Sequence, residues 1–381
     1  MKQTYQVETS AAALGDANIS TGRPGHPRSL NLTRRSFIGS AGALAFGVCP
    51  TRALASTGIP FGAAIQSEFF DSDPGYVQAF LDHCDLIMPM NELKFGLLRP
   101  TREEFDFSRA DRLVDFARDN GKTSRGHAFV WWSTNPPWLD AIEDEREAEA
   151  VLIEHIERVA DHYRGRLTGW DVVNEVVANE PRGHEGGALR DTVWRRLLGA
   201  RHIPLAFQAA ARADPDARLV INDYDLEFAG DRYDARRSVM LDIVRQLQDA
   251  NIRVDAVGMQ GHLYSHYAID IEGLARFKQE LERLGVAFLV TELDVIDFQI
   301  RGGIEEQDAA ATKVVSDLLD AVLPGQRPLA LVTWGITDRY SWIPDSMPRE
   351  DGKPMRPLPL DADLRPKAWY EMLRARLAAG A

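Results

Sequence analysis

Trp170-Asp171-Val172-Val173-Asn174-Glu175 is the stretch that decides how this chain folds, and Val290-Thr291-Glu292-Leu293-Asp294-Val295 repeats its pattern. Each stretch is an apolar, β-branched run with a carboxylate at or near its end, which is typical of a buried strand. A glutamate at the end of such a strand is costly unless it lies at an opening and takes part in chemistry. Two of them suggest a pair of carboxylates that the fold brings together, as the cleavage of a glycosidic bond requires.

Strand-like runs recur along the rest of the chain, and helical stretches lie between them. Apolar residues at helical spacing mark Ala148–Tyr163, Trp194–Ala211 and Ala235–Ala250. Eight strands that alternate with helices predict an α/β protein with a (β/α)8 TIM barrel. The competing fold, a doubly wound open sheet, normally carries a Gly-rich phosphate turn after its first strand, and this sequence has none. The eight runs are Ile59–Ile65, Leu86–Met90, Arg125–Trp131, Gly169–Glu175, Leu219–Tyr224, Ala256–Leu263, Ala287–Val295 and Leu329–Ile336.

Polar and aromatic side chains collect at the carboxyl ends of seven of these runs. In a barrel of this kind the active site is built from those ends and from the loops that follow them. Their convergence is stronger support for a site than any one residue. The residues are Asn91, Lys94, His127, Trp131, Trp132, Asn174, Glu175, Asn222, Asp223, Tyr224, Gln260, His262, Glu292, Asp294, Trp334, Asp338 and Trp342.

The composition excludes several classes of partner. A net charge of −13 over 381 residues argues against a nucleic-acid partner and against an anionic membrane surface. Only two cysteines are present, Cys49 and Cys84, and we expect the mature chain to keep Cys84 alone, as a buried apolar residue. Neither a His-Glu-x-x-His motif nor a calcium-loop pattern occurs, so no metal or other cofactor is expected.

The N-terminus has the pattern of a processing signal. Thr33-Arg34-Arg35-Ser36-Phe37-Ile38-Gly39 is a twin-arginine pattern, a short apolar stretch follows it, and Ala53-Leu54-Ala55 matches a cleavage site. The alternative is that residues 1–55 are a disordered tail. We therefore expect a leader over 1–55, a catalytic domain over 56–381, no membrane anchor in the mature form, and a periplasmic or secreted protein. The start codon could lie inside the long leader that precedes Arg34.

The ordered set of motifs resembles glycoside hydrolase family 10, the retaining endo-β-1,4-xylanases, over nearly all of residues 57–378. Each motif alone is modest, whereas the set in its family order is highly specific. The tail from Leu360 to Tyr370 also resembles the closing segment of the family. The matching motifs are Asn91-Glu92-Leu93-Lys94, Arg125-Gly126-His127, Val130-Trp131, Trp170 to Glu175, Asn222-Asp223-Tyr224, Gly258 to His262, Thr291 to Asp294, Trp334 to Asp338 and Ser341-Trp342.

The resemblance implies a role for each matched residue. Glu175 would be the general acid/base and Glu292 the nucleophile, with the pKa of Glu175 raised by the second carboxylate and by the apolar neighbours Trp170 and Val173. Asn174 would bind the sugar 2-hydroxyl, and His262 would orient the nucleophile with Asp294 behind it. The sugar-binding residues would be Asn91, Lys94, His127, Trp131, Tyr224, Gln260, Trp334 and Trp342.

Two positions depart from the family pattern. Met90 stands where the family usually has a glutamate that contacts the next sugar on the non-reducing side. Trp131-Trp132 stands where the family usually has Trp-His. Neither change is expected to touch the catalytic pair, but both would make the subsites that bind the non-reducing portion of the substrate less polar. The sequence therefore leaves open whether the substrate is polymeric xylan or short xylooligosaccharides, and whether cleavage is endo or exo.

Two other functions compete with the xylanase interpretation. A different retaining barrel glycosidase, acting on β-glucan or mannan, would also end its fourth strand in Asn-Glu and its seventh in Glu. Gln260-x-His262 and the spacing from Trp334 to Trp342 favour the xylanase. A catalytically silent saccharide-binding barrel would be expected to have lost one carboxylate, and this chain keeps both. The partner is expected to be xylan or a xylooligosaccharide, and the protein a monomer.

Overall fold

The computed structural model describes residues 58–182 and 187–379, in which parallel strands form one closed barrel. Phe61 in the first strand pairs with Leu331 in the last, and Gly62 pairs with Leu86 on the other side. The predicted (β/α)8 TIM barrel is therefore confirmed. The strands are β1 (Phe61–Ile65), β2 (Leu86–Pro89), β3 (Thr123–Ser124), β4 (Gly126–Val130), β5 (Gly169–Asn174), β6 (Arg218–Asp223), β7 (Ala256–Met259), β8 (His262–Tyr264), β9 (Ala287–Ile296) and β10 (Leu331–Thr333).

Ten strand segments make eight barrel strands because two of the strands are interrupted. Arg125 separates β3, which pairs with β2, from β4, which pairs with β5. Gln260 and Gly261 separate β7 from β8, where the sequence predicted one continuous run. Gly261 has a φ of +82°, a left-handed conformation that glycine adopts at little cost and that ends a strand. Beyond this break His262 pairs with Asp294 of β9.

The helices follow the strands as the alternation predicted, with one difference. The predicted helix Trp194–Ala211 is divided at Gly199, whose φ of +61° ends the first part. In α5 the Asp144 side chain accepts a hydrogen bond from the Glu147 amide at 2.8 Å and caps the helix start. The helices are α1 (Pro74–His83), α2 (Phe95–Leu98), α3 (Ser108–Asp119), α4 (Pro137–Asp140), α5 (Glu145–His162), α6 (Val193–Leu198), α7 (His202–Ala213), α8 (Asp231–Asp249), α9 (Ile271–Arg283), α10 (Ile304–Val322), α11 (Ile343–Ser346) and α12 (Ala368–Ala379).

The strands are buried along most of their length, which explains why they read as continuous apolar runs. The packing between the adjacent strands β4 and β5 leaves little spare room. A Cβ atom on Gly126 would lie 2.0 Å from the ring of Trp170, which stacks on Phe129 with ring centroids 4.1 Å apart. Cys84 is buried in the main apolar core, as expected. This tight packing positions the strand ends that carry the site.

The predicted twin-arginine signal and cleavage site lie in residues 1–55, outside the described residues, and they stay predictions. Within the described ranges, no helix combines the length and the apolar character needed to span a membrane.

Candidate active site

Glu175 lies directly after β5, at the carboxyl end of the barrel. Its backbone is left-handed, with a φ of +55°, and its amide continues the sheet by donating to the Asn222 carbonyl at 2.9 Å. Both carboxyl oxygens accept hydrogen bonds. The Trp132 indole donates to Oε2, while Gln260 Nε2 at 3.2 Å and Asn174 Nδ2 at 3.4 Å approach Oε1. The carboxyl group is therefore held from three sides.

Glu292 lies within β9 and is 3% exposed. Its amide donates to the Gln260 carbonyl at 2.7 Å, which ties β9 to the interrupted strand beside it. Asn222 Nδ2 donates to Oε1 of Glu292 at 2.7 Å, and His262 Nε2 lies 3.4 Å from Oε2. His262 on the adjacent β8 and Asn222 on β6, beyond β7, therefore hold this second carboxylate in place.

A chain of amide side chains connects the two carboxylates. Asn174 Oδ1 accepts from Asn222 Nδ2 at 2.9 Å and from Gln260 Nε2 at 3.2 Å. Gln260 also contacts Glu175, and Asn222 also contacts Glu292, so both glutamates share one hydrogen-bonded network. Asn222 is fully buried and was not among the residues to which we assigned a role. Its place at the end of the fifth predicted run, opposite Asn174, was the signal that pointed to it.

His262 lies between Glu292 and Asp294, as the resemblance implied. Its Nδ1 is 2.8 Å from Asp294 Oδ1, and the Trp342 indole donates to Asp294 Oδ2 at 2.8 Å. Burial alone would lower the pKa of His262, but the carboxylates of Asp294 and Glu292 outweigh burial and raise that pKa well above its usual value. His262 is therefore an imidazolium that faces Glu292.

His127 is buried beside the second carboxylate. Its Nδ1 lies 2.9 Å from Asp171 Oδ2 and 3.9 Å from Glu292 Oε1, and its ring meets Trp334 edge-on at 5.1 Å. Asp171 pairs in register with His127 across β4 and β5, and Arg125 also bonds Asp171. The sequence analysis gave Asp171 no role, although a charged residue inside a buried strand must have such partners.

Lys94 and Asn91 contact each other, and two aromatic rings lie close to Lys94. Lys94 Nζ donates to Asn91 Oδ1 at 2.8 Å and lies 4.5 Å from the ring centre of Trp131 and 5.6 Å from that of Trp334. Burial lowers the pKa of Lys94 to about 8, against the raising effects of Glu292, Glu175 and Glu92. Lys94 thus remains mostly charged near neutral pH and acts on both carboxylates.

Tyr224 lies at the edge of the site, where it is half-buried. Its hydroxyl contacts Asn179 and the guanidinium of Arg190, and Arg236 lies 4.3 Å from its ring centre. Burial, the largest influence, raises the pKa of Tyr224 to about 12, so its hydroxyl keeps its proton. Arg190 also donates from Nε to the backbone carbonyl of Glu175 at 2.8 Å. The sequence analysis missed Arg190 because it comes from a loop without a regular pattern.

The two departures from the family pattern have different surroundings. Met90 is buried and packs in one apolar cluster with Trp334, so it adds to the wall of the site as an apolar group. Trp132 donates its indole N–H to Glu175. The expectation that neither change touches the catalytic pair is therefore wrong for Trp132. Sequence reasoning could not see this contact because the loop after β4 sets the direction of the ring.

The pKa of Glu175 also differs from the expectation. Burial would raise it, but Arg190 and the indoles of Trp131 and Trp132, with Gln260, outweigh burial and lower the pKa below its usual value. Trp170, which was expected to form an apolar wall, instead packs on the outer side of the barrel against Phe129. Glu175 is therefore ionised in the unliganded protein.

In the described residues, no group of three His, Cys, Asp or Glu side chains is arranged to hold a metal ion. A barrel that carries one hydrogen-bonded glutamate directly after β5 and another within β9 defines the class of barrel glycoside hydrolases. The model of the family described as glycosyl hydrolase family 10 matches residues 51–376. The chain belongs to this family, as the sequence analysis predicted.

Relatives and solved structures agree with this assignment. Endo-1,4-beta-xylanase B of Thermotoga neapolitana is 30% identical over 332 residues, which are 85% of this chain and 90% of that protein. Endo-1,4-beta-xylanase 1 of Humicola insolens is 32% identical over 76% of this chain, which spans 66% of that protein. The crystal structure of xylanase 10B from Thermotoga petrophila RKU-1 with xylobiose superposes with a TM-score of 0.76 at 27% identity, covering 84% of this chain and 94% of that one.

Proposed function

We propose that this protein is a retaining endo-1,4-β-xylanase that cleaves xylan or xylooligosaccharides by double displacement. The observation that carries the proposal is the network Glu175–Gln260–Asn174–Asn222–Glu292, which joins two carboxylates in one site. The relatives that are named endo-1,4-beta-xylanases and the structural neighbour with xylobiose support xylan as the substrate class.

In the first step Glu292 attacks the anomeric carbon while Glu175 gives its proton to the leaving oxygen, so the glycosidic bond breaks as the ester to Glu292 forms. In the second step Glu175 takes a proton from water, whose oxygen attacks the same carbon and releases Glu292. His262 Nε2, 3.4 Å from Glu292 Oε2, orients this carboxylate for its attack. The pKa of Glu175 is lowered in the free enzyme. We therefore expect bound substrate to raise this pKa and so to favour the protonated form that the first step needs.

The decisive experiment is product analysis with purified residues 56–381 on linear xylan and on xylotetraose. A ladder of oligomers from xylan, with retention of anomeric configuration by NMR, is expected for the wild type and absent in Glu292→Ala. If only xylotetraose is cut, the mechanism stands and Met90 and Trp132 become the suspected causes of a preference for short substrates. If neither is cut, the xylanase proposal fails.

A second candidate is hydrolysis of β-glucan. A relative that is 32% identical over 82% of this chain, which spans 28% of that protein, is named exoglucanase XynX of Acetivibrio thermocellus. Parallel assays on carboxymethylcellulose and mixed-linkage glucan test this candidate. A kcat/KM on either glucan above that on xylan would replace the leading proposal.

We also propose that the protein is exported by the twin-arginine route, is cleaved after Ala55 and acts as a monomer in the periplasm or outside the cell. The motif that contains Arg34 and Arg35 supports this proposal. N-terminal sequencing of the exported protein is expected to begin at Ser56, and Arg34→Lys with Arg35→Lys should abolish export. Light scattering of the mature chain is expected to give the mass of one protomer.

A further inference from the structure

Arg190 is fixed beside Glu175 by a small antiparallel ribbon. Ala178 donates its amide to the Ala188 carbonyl at 2.9 Å, and Arg190 donates its amide to the Val176 carbonyl at 2.8 Å. Val177 and Leu189 pair between these two bonds. The ribbon starts directly after Glu175, so the backbone that carries the carboxylate and the backbone that carries the arginine are one local unit.

The guanidinium of Arg190 contacts neutral oxygen atoms around Glu175. Its Nε donates to the Glu175 carbonyl at 2.8 Å, and its Nη2 donates to the Tyr224 hydroxyl and to Asn179 Oδ1, the latter at 3.3 Å. In the described ranges none of these hydrogen bonds goes to a carboxylate. The positive charge of Arg190 acts on the carboxyl group of Glu175 and also on that of Asp223.

Trp132 completes the arrangement. The guanidinium carbon of Arg190 lies 5.3 Å from the ring centre of Trp132, within range of a cation–π contact, and the Trp132 indole donates to Glu175 Oε2. We propose that Arg190 and Trp132 form a positioning pair for the acid/base: Arg190 fixes the backbone of Glu175 and supplies positive charge, and Trp132 fixes one carboxyl oxygen. This inference rests on the proposed role of Glu175.

The pair favours one half of the double displacement. Positive charge and an N–H donor both stabilise the carboxylate form, which is the form that takes the proton from water in the second step. The same contacts oppose the protonated form that the first step needs. Consistent with this, Arg190 is the strongest of the neighbours that lower the pKa of Glu175 against burial.

Other charged and titratable groups also act on Glu175, and none of them is replaced in the variants that test the proposal. Lys94 follows β2 and acts on Glu175 as well as on Glu292. Asp223 and Tyr224, at the end of β6, also interact electrostatically with Glu175. The test must therefore change only the positioning pair.

The test compares wild type, Arg190→Met and Trp132→Phe by the pH dependence of kcat/KM for 4-nitrophenyl β-xylobioside. The alkaline limb reports loss of the proton from Glu175 in the free enzyme. Removing the charge of Arg190 should raise the pKa of Glu175 and move this limb to higher pH, on the order of one pH unit. Trp132→Phe keeps the ring under Arg190 but removes the N–H, and should move the limb in the same direction by less.

Arg232→Met is the matched control. Arg232 donates to the carbonyl of the same Asn179 at 2.9 Å, but its charge is paired with Asp225 at 2.6 Å. Its removal should leave the alkaline limb in place. Arg190→Lys keeps a positive charge and should restore most of the limb position lost in Arg190→Met. If Arg190→Met lowers kcat/KM equally at every pH, the arginine is only structural and the proposal is overturned.

A titration that does not depend on turnover separates this inference from the function itself. Carboxyl ¹³C NMR of glutamate-labelled protein, with Glu175→Gln to identify the resonance, gives the pKa of Glu175 directly. A higher pKa in Arg190→Met supports the positioning pair even if xylosides prove to be the wrong substrates. An unchanged pKa overturns the pair even if wild type hydrolyses xylan.

Discussion

The surroundings of Glu292 and of Glu175 differ in kind. Glu292 lies inside a strand, is nearly inaccessible and is held by Asn222 and His262, which both belong to other barrel strands. Glu175 lies one residue past its strand, in a left-handed conformation, and loop residues such as Trp132 hold its carboxyl group. A nucleophile must occupy one position in one protonation state, whereas an acid/base must exchange a proton with the leaving group and with water. In the proposed mechanism the rigid part of the fold therefore carries the nucleophile, and the rim of the barrel carries the acid/base.

The largest expected effect comes from removing the proposed nucleophile. Glu292→Ala should lower kcat/KM by about 10⁴-fold or more on every xyloside, because no other group can form the covalent intermediate. The measurement is a progress curve on 2,4-dinitrophenyl β-xylobioside, beside a thermal unfolding curve that checks the fold. Residual turnover within tenfold of wild type would show that Glu292 is not the nucleophile.

Removing the proposed acid/base should give an effect that depends on the leaving group. Glu175→Ala should lower kcat/KM on xylotriose by about 10²–10⁴-fold, because its leaving oxygen needs a proton. With a 2,4-dinitrophenyl leaving group, formation of the intermediate should be almost unaffected and only its hydrolysis slowed. Stopped-flow measurement should show a burst, and added azide should speed turnover. Equal losses on both substrates would remove the distinction between the two glutamates.

Replacing His262 should impair the action of Glu292 and leave that of Glu175 unchanged. His262→Asn should lower kcat/KM by roughly 10–100-fold, the equivalent of one lost charge-assisted hydrogen bond. Since the pKa of His262 is raised on folding, its stabilisation is full below the unfolded value of about 6.5 and is lost as pH rises through the folded pKa. The difference in unfolding free energy between wild type and variant should therefore shrink at alkaline pH. A difference that grows with pH would contradict the charged state.

The smallest expected effect comes from replacing Glu227, which holds the turn at Gly261 between the surroundings of the two glutamates. Glu227 is fully buried and accepts a hydrogen bond from the Gly261 amide at 2.8 Å, between Gln260 on the Glu175 side and His262 on the Glu292 side. Burial, helped by Asp225, raises the pKa of Glu227 to about 7.

A carboxyl with a raised folded pKa loses stability as pH rises from its unfolded value of about 4.3 towards 7. Glu227→Gln removes this dependence. Its unfolding free energy relative to that of wild type should therefore rise by about 1–3 kcal/mol from pH 4 to pH 8, as measured by urea unfolding. Its kcat/KM is expected to stay within a few-fold. A constant difference across this range would show that Glu227 stays ionised on folding.

The strand ends could be predicted because each barrel strand is a buried apolar run whose last residues turn polar. That pattern alone is enough to place Glu175, Glu292, His262 and Gln260 at or near strand ends. Arg190 could not be predicted because its position depends on a ribbon pairing that leaves no periodic signal. The contact of Trp132 with Glu175 was missed for a related reason: sequence indicates which residue follows a strand but not where its ring points. The pKa shift of Glu175 depends on both Arg190 and Trp132, so the direction predicted for it was wrong.

Cys84 offers a use that goes beyond catalysis. It is the only cysteine in residues 56–381, it is buried in the main core, and burial raises the pKa of its thiol. A thiol in this state reacts with alkylating reagents only when the surrounding structure opens. The rate of Cys84 labelling in residues 56–381 therefore reports how often the barrel opens, and mass spectrometry can measure it with and without sugar.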